Sequence, residues 1–296
     1  MVLLGRKKNA SELNKKHMKE KDIICWWSGG ITSAIACKIT IGLYGKDRCR
    51  VIYIATHNED EDTERFKIDC EKLYDLEIEE ISAIGEGKKY SSIEDVWYDF
   101  ESLNVAHGAI CSSELKRQVR LDFQRKTEYT HQVFGFEIEE VNRAKNIKKN
   151  YPKSVPVFPL LMFCLSKKDC IKKMEQYGIE VPRMYKLGFN NNNCFNTGCV
   201  QGGIGYWKKI QKEYPDKFEK MAKIEHALTN LKGKPVTCLK DQSKVAKATG
   251  ITNVFLENHP DYPEYKSIND MKGRPVENLM ECNGFCGIQS ELFKSV

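Results

Sequence analysis

The tripeptide Ser28-Gly29-Gly30 separates two segments of different hydrophobic periodicity. Residues 23–27 are apolar and of strand length, and apolar residues recur at helical spacing after Gly30. Two glycines at a strand-to-helix turn allow backbone conformations that a Cβ would hinder. The N–H groups of such a turn and of the first helical turn converge on one point, where an anion is stabilised. The sequence therefore predicts a phosphate-binding loop, with Ser28, Thr32 and Ser33 as hydroxyl donors.

Two common nucleotide-binding motifs do not match this turn. The dinucleotide fingerprint requires Gly-x-Gly-x-x-Gly, and the nucleoside-triphosphatase loop requires Gly-Lys-Ser or Gly-Lys-Thr. An ordinary turn between a strand and a helix, without a ligand, is the alternative interpretation.

Composition favours a water-soluble globular protein. Of the 296 residues, 41% are hydrophobic and 30% are charged, and no apolar run approaches the roughly 20 residues of a membrane-spanning helix. The apolar stretch at the N-terminus is too short for a signal peptide, so we expect a cytoplasmic protein without membrane contact. The net charge of +6 permits an anionic substrate or a nucleic acid and demonstrates neither.

Strand and helix patterns alternate after the predicted loop. This alternation predicts right-handed crossovers and an α/β fold, with a mostly parallel sheet and helices on both faces. Further strands are predicted at 50–55, 77–81 and 132–136.

Composition and periodicity also suggest a division of the chain. We expect a basic N-terminal arm at 1–20, a nucleotide-binding domain at 21–180, and a cysteine-rich, mainly helical C-terminal region at 181–296. Ser166 is predicted to cap a helix that Gly178 ends, and Pro215 to begin another helix.

An acidic loop at 56–63 follows the strand at 50–55. A loop at the carboxyl end of a strand beside the phosphate loop is where a parallel sheet holds the rest of a nucleotide. Its carboxylates could cap the following helix or bind Mg²⁺ together with the phosphates.

A basic pair, Lys116 and Arg117, follows two serines. Ser112 or Ser113 is predicted to be the N-cap of a helix, which places both cations in its first turn. Cations there oppose the helix dipole, so a nearby anion would explain them, and a solvated basic face is the alternative.

Twelve cysteines in a chain expected to be cytosolic argue against a disulfide framework and for metal or redox chemistry. Cys194 and Cys199 form one close pair, and Cys282 and Cys286 form another, each in a loop that contains glycine. The two pairs could converge as a four-thiolate site for zinc or an iron–sulfur cluster. Unlinked thiols and a redox pair are the alternatives.

The segment from Ser28 to Ser33 resembles the PP-loop of the adenine nucleotide alpha-hydrolase superfamily, and more narrowly its phosphoadenosine-phosphosulfate (PAPS) reductase branch. Thr32 stands where an Asp is usual. The segment from Cys111 to Lys116 resembles the family's Cys-x-x-x-Leu-Lys element, and that from Gly135 to Arg143 resembles its Gly-x-x-x-x-Glu-x-x-Arg segment. Residues 155–160 resemble the family's Pro-Leu segment after the sheet.

The resemblance implies a set of functional residues. Nucleotide or phosphate would be bound by Ser28, Gly29, Gly30, Thr32, Ser33, Thr56, Glu59, Cys111, Lys116, Gly135 and Arg143. Catalysis would involve Ser28, Ser33 and Lys116, and also Cys282, which lies in a Glu-Cys sequence similar to the tail of PAPS reductases. Cys282 thus has two candidate roles, as a metal ligand and as a nucleophile.

Three functions follow from the resemblance. The first is an ATP- and Mg²⁺-dependent enzyme that transfers AMP to a substrate for later sulfur or amine transfer. The second is reduction of a sulfonucleotide by Cys282, and the third is a nucleotide-binding accessory protein without catalysis. The expected partners are an adenine nucleotide and an acceptor, either a nucleic acid or a small molecule, and a homodimer is compatible with each function.

Overall fold

A five-stranded parallel sheet organises the first half of the chain. The structure is a computed structural model, which describes residues 21–105, 108–150, 155–192 and 194–277. The strands are β1 (Ile23–Trp27), β2 (Cys49–Ala55), β3 (Ile78–Ser82), β4 (Asn104–Val105), β5 (Gly108–Ala109), β6 (His131–Val133), β7 (Val155–Val157), β8 (Leu239–Lys240), β9 (Asn253–Phe255) and β10 (Lys266–Ser267). The parallel sheet has the order β3-β2-β1-β6-β7.

Helices connect and cover the strands. They are α1 (Ile31–Tyr44), α2 (Asp62–Tyr74), α3 (Ile93–Asp99), α4 (Val119–Lys126), α5 (Val141–Asn150), α6 (Pro159–Met162), α7 (Lys167–Gln176), α8 (Arg183–Lys186), α9 (Ile204–Glu213), α10 (Pro215–Lys232) and α11 (Lys244–Thr249). A π-helical segment, Ser112–Gln118, leads into α4. No helix in the described part of the chain is both long and apolar enough to cross a membrane.

The central strand β1 is buried on both faces of the sheet. Ile23, Cys25 and Trp27 belong to a core shared with α1, α2 and α7. Ile24 and Trp26 belong to a second core on the opposite face, to which α5 contributes. Side chains of a strand alternate between faces, so this arrangement requires helices on both sides of the sheet. The predicted α/β fold class is confirmed.

The strand order places the end of β1 at a switch point. The chain extends the sheet first through β2 and β3 on one side of β1, and later through β6 and β7 on the other. In sheets of this kind ligands bind in the crevice outside the carboxyl ends of the strands where the order reverses. The loop after β1 lies at that position.

The prediction for residues 155–160 is wrong in one respect, because part of this segment belongs to the sheet. Val155–Val157 is the edge strand β7, and Pro156 pairs with Gln132 of β6. Proline lacks the N–H that a central strand would have to donate, and at the edge of a sheet this loss is tolerated.

A separate hydrophobic core joins distant segments of the chain. It contains buried residues between Ile84 and Leu115 together with residues between Met184 and Ile268. The C-terminal region therefore packs on a segment from within the first 180 residues. The boundary near residue 180 stays a prediction, and the arm at 1–20 lies outside the described residues.

The strands β8, β9 and β10 form a three-stranded sheet in the C-terminal region. Glu225 links helix α10 to this sheet. Its side chain is fully buried, and its two carboxylate oxygens accept the backbone N–H groups of Cys238 (2.6 Å) and Leu256 (2.7 Å). Burial outweighs these hydrogen bonds and raises the pKa of Glu225 from 4.5 to about 8.

The raised pKa of Glu225 predicts a pH-dependent stability. The folded protein binds the proton of the Glu225 carboxyl group more tightly than the unfolded chain does. The stability that this bound proton contributes is complete below pH 4.5 and is lost as the pH rises towards 8. We expect the wild-type free energy of unfolding to fall, relative to Glu225→Gln, by about 1.4 kcal/mol per pH unit within that window. Urea denaturation at several pH values measures this difference, and parallel pH profiles of the two proteins would contradict it.

Candidate active site

The predicted phosphate loop has the backbone that its glycines suggest. Gly29 has φ = +83°, and a Cβ on it would lie 3.1 Å from Cγ2 of Thr63. Gly30 is extended and precedes the 14-residue helix α1 without a side-chain cap. The N–H groups of an uncapped helix start carry the positive end of the helix dipole. The geometry of this turn is therefore suited to an anion.

Ser33 shapes the loop from within. Its hydroxyl donates to the Gly30 carbonyl (2.9 Å) and accepts the Ser28 backbone N–H (3.1 Å), and it lies 2.9 Å from the Ser28 hydroxyl. Ser33 and Thr32 are buried, whereas Ser28 is partly exposed. Ser28 is thus the more accessible of the three predicted hydroxyl donors.

Gly135, in the loop after β6, contacts the first turn of α1. A Cβ on Gly135 would lie 2.5 Å from both the backbone N and the Cα of Ser33. The family resemblance of this segment implies that Gly135 lets the backbone approach a ligand. The structure gives it an additional reason to be glycine, because it allows the β6 loop to pack directly on the phosphate-loop helix.

Glu59 organises the loop after β2. It accepts hydrogen bonds from the N–H and hydroxyl of Thr56 (3.1 and 2.7 Å) and from the N–H of Asn58 (3.1 Å). The buried Lys116 ammonium lies 3.5 Å from the same carboxylate. Burial alone would raise the pKa of Glu59, but Lys116 and these hydrogen bonds together lower it. Glu59 and Lys116 form a buried ion pair beside the phosphate loop.

Two further acidic side chains of this loop, Asp60 and Asp62, form ion pairs with arginines. Asp60 accepts hydrogen bonds from Arg183 at the start of α8, and Asp62 accepts two from Arg65. The side chain of Asp60 also caps locally, since it accepts the Asp62 backbone N–H at 3.0 Å. Among the residues that the structure describes, no three His, Cys, Asp or Glu side chains come together closely enough to hold a metal ion.

The predicted serine N-cap is wrong. Helical backbone already begins at Ile110, so Ser112 and Ser113 lie inside the helix. The seven residues Ser112–Gln118 form a π-helical turn, and Lys116 lies within it. The strand β5 ends directly before this helix, which leaves no turn in which a serine could cap. Wide π-helical turns occur frequently at functional sites.

The loop that carries Cys194 and Cys199 is called the cysteine loop here. Cys194 connects it to the loop after β2. Its Sγ lies 3.6 Å from the Thr56 hydroxyl, and its backbone forms a β-bridge with Glu59. Cys111, Cys194 and Cys199 line one small apolar cavity. The predicted ligands Cys282 and Cys286 lie outside the described residues. Cys194 and Cys199 do not form a metal site with other described residues, and the zinc or iron–sulfur site stays a prediction.

Arg143 contacts the loop that follows β6 through Phe136. It is paired with Glu140 (2.8 Å), and its guanidinium lies 4.4 Å from the centre of the Phe136 ring. These contacts hold the arginine against the loop that follows β6.

Two residues at the phosphate loop could not be identified from the sequence. The Asn192 side chain donates to the Gly29 carbonyl at 2.9 Å, and the Tyr185 hydroxyl accepts the Ile31 N–H at 3.4 Å. Both come from the C-terminal region, more than 150 positions away. The run of asparagines at 190–193 was the one local signal in the sequence, and it indicated only a turn.

The chain resembles a known structure without a match in sequence. No model of a protein family matches it, and no curated protein matches its sequence. It is similar to the crystal structure of a phosphoadenylyl-sulfate (PAPS) reductase from Candida auris in a phosphate complex, with a TM-score of 0.44 and 9% sequence identity. The similarity covers 62% of this chain and 87% of that chain.

Gly135→Ala tests the contact between the β6 loop and α1. The new Cβ would lie 2.5 Å from backbone atoms that cannot move by changing a rotamer, so we expect a loss of about 1–3 kcal/mol in the free energy of unfolding. The matched control is Gly42→Ala in α1, where a Cβ meets no atom within 4 Å in the described structure. Chemical denaturation measures both, and equal stability of the two variants would contradict the close approach.

A double-mutant cycle tests the Glu59–Lys116 pair. Because both groups are buried, we expect Glu59→Gln and Lys116→Met to show a coupling energy of about 1–3 kcal/mol in denaturation experiments. The control is the exposed helical pair Glu219–Lys223 at 2.6 Å, for which about 0.5 kcal/mol is expected. A Glu59–Lys116 coupling as small as that of the control would show that the buried pair does not stabilise the site.

Proposed function

We propose that this chain is a nucleotide-binding enzyme of the PP-loop type, which holds the phosphates of ATP at the turn between β1 and α1. The observation that carries the proposal is the geometry of this turn. A glycine at positive φ and a helix start whose N-cap residue, Gly30, has no capping side chain lie together at the switch point of a parallel sheet. Backbone N–H groups arranged in this way bind phosphate without requiring a basic side chain.

The charges around the turn support an anionic ligand. Three acidic groups of the loop after β2 have positive partners, because Glu59 lies against Lys116, and Asp60 and Asp62 bind arginines. Their negative charge is thereby offset close to the turn. The dipole of α1, equivalent to roughly half a positive charge at its start, then adds an attraction for phosphate.

The turn is also shielded from water. Gly29 and Gly30 are buried, and contacts with Asn192 and Tyr185 cover this end of α1. In a site that excludes water, hydrogen-bond donors stabilise developing charge more strongly than they do in solution. Donors shielded in this way would stabilise the negative charge that develops on a departing phosphate group.

The proposed reaction is attack by an oxygen of the acceptor on the α-phosphorus of ATP. The bond from that phosphorus to the oxygen that bridges it to the β-phosphorus breaks, and pyrophosphate leaves with the electron pair. The N–H groups at the start of α1 and the Ser28 hydroxyl would stabilise its charge. Among the described residues, no three His, Cys, Asp or Glu side chains form a magnesium site of their own.

Reduction of a sulfonucleotide and nucleotide binding without catalysis are the competing functions. The first requires a nucleophile such as Cys282, which lies outside the described residues. The second requires the same cradle with no turnover. All three functions predict binding of a nucleotide phosphate, and they differ in the preferred ligand and in what happens after binding.

Calorimetry with Mg·ATP, PAPS and pyrophosphate tests the proposal. We expect binding of Mg·ATP and pyrophosphate, and a loss of about tenfold in affinity for Ser33→Ala, which removes the hydrogen bonds to Gly30 and Ser28. The control is Ser91→Ala, at an exposed serine.

Pyrophosphate release in the presence of candidate acceptors then separates the functions. Release that depends on an acceptor supports the adenylating enzyme. A preference for PAPS over ATP would replace it with sulfonucleotide reduction, and binding without turnover would favour the accessory role. Absence of binding to all three ligands would contradict the phosphate-binding loop itself.

A further inference from the structure

The side chain of Asn192 is bound against the backbone of the phosphate loop. Its amide group donates to the Gly29 carbonyl at 2.9 Å and to the Thr63 hydroxyl at 3.0 Å. The residue is 3% exposed. The carbonyl oxygen of Gly29 can only accept, so the amide nitrogen of Asn192 must face it.

The other end of the same side chain is unsatisfied. Among the described residues, the Oδ1 atom of Asn192 is buried and has no hydrogen-bond partner. A buried acceptor without a partner is unfavourable for folding. Despite that cost, the amide group of Asn192 places its two N–H donors against the Gly29 carbonyl and the Thr63 hydroxyl.

The hydrogen bond from Asn192 fixes the orientation of one peptide group. In a trans peptide the carbonyl and the N–H point in opposite directions, so a Gly29 carbonyl directed at Asn192 directs the Gly30 N–H to the other side of the loop. A peptide between two glycines rotates with little steric resistance. If it turned over, a carbonyl oxygen would replace an N–H donor in the phosphate cradle.

The segment that carries Asn192 is itself firmly attached. Two residues further on, Cys194 forms a β-bridge with Glu59. The Asn58 carbonyl accepts the N–H groups of Phe195 (2.8 Å) and Asn196 (3.1 Å). Asn192 is therefore held in place from the loop after β2, rather than by its own hydrogen bonds alone.

We propose that Asn192 is a positioning residue, which holds the Gly29–Gly30 peptide in the orientation that binds phosphate. It acts through the backbone of the loop. The inference rests on the proposed function only in taking a phosphate group as the ligand. It makes nucleotide affinity dependent on the cysteine loop, because Asn192 belongs to the segment that leads into Cys194.

Asn192→Asp and Asn192→Ala test this role. The aspartate has nearly the same shape but presents oxygen to the Gly29 carbonyl, so we expect pyrophosphate and Mg·ATP to bind about tenfold to a hundredfold more weakly. Alanine removes the hydrogen bond without adding charge, and we expect a smaller loss, of about threefold to tenfold. If the aspartate variant does not fold, the alanine variant carries the test.

The matched controls are Asn190→Asp and Asn190→Ala. Asn190 lies in the same segment, and its side chain donates to the Val276 carbonyl, away from the phosphate loop. We expect both control variants to bind pyrophosphate as the wild type does. Adenosine, which lacks phosphate, serves as the control ligand, and its affinity should be the same for all five proteins.

Amide hydrogen exchange of residues 29–33, measured without nucleotide, reports how rigidly the phosphate loop is held independently of ligand binding. We expect faster exchange there in Asn192→Ala than in Asn190→Ala. Wild-type protein that binds no phosphate-containing ligand would overturn the proposed function. Wild-type affinity and wild-type exchange in both Asn192 variants would overturn the positioning role and leave the proposed function intact.

Discussion

The turn between β1 and α1 is held by contacts from several parts of the chain. Ser33 ties it internally, Gly135 packs on Ser33 from the loop after β6, and Asn192 binds the Gly29 carbonyl from the C-terminal region. Glycine is required at 29 because of its positive φ, and at 135 because backbone atoms lie where a Cβ would be. A loop fixed in this way keeps its N–H groups oriented before any ligand arrives, so little ordering is required on binding.

The loop after β2 links the two parts of the candidate site. Glu59 accepts hydrogen bonds from the backbone of its own loop, forms an ion pair with Lys116, and forms a backbone β-bridge with Cys194. Asp60 holds Arg183, which begins the helix that carries Tyr185. Acidic residues that could have been a magnesium site from their sequence alone thus act as attachment points for the C-terminal region. The same contacts bring the Cys194 thiol within 3.6 Å of the Thr56 hydroxyl in the loop after β2.

The sequence predicted features that depend on local chemistry. Strand β1, the turn and helix α1 follow from periodicity and glycine content, as does the helix that Ser166 caps and Pro215 at the start of α10. The serine cap at 112–113 failed because the helix starts earlier, directly after a short strand. Strand β7 was missed because three residues containing a proline give a weak pattern. Asn192 could not be found, since its partner Gly29 is 163 positions away and no local pattern encodes such a contact.

A crystal structure with Mg·ATP bound tests the central claim most directly. The account predicts the β- and γ-phosphates at the start of α1, with phosphate oxygens about 3 Å from the backbone nitrogens of the turn, and the Gly29 carbonyl still bound to Asn192. A nucleotide bound elsewhere, with the turn between β1 and α1 free of phosphate, would contradict it.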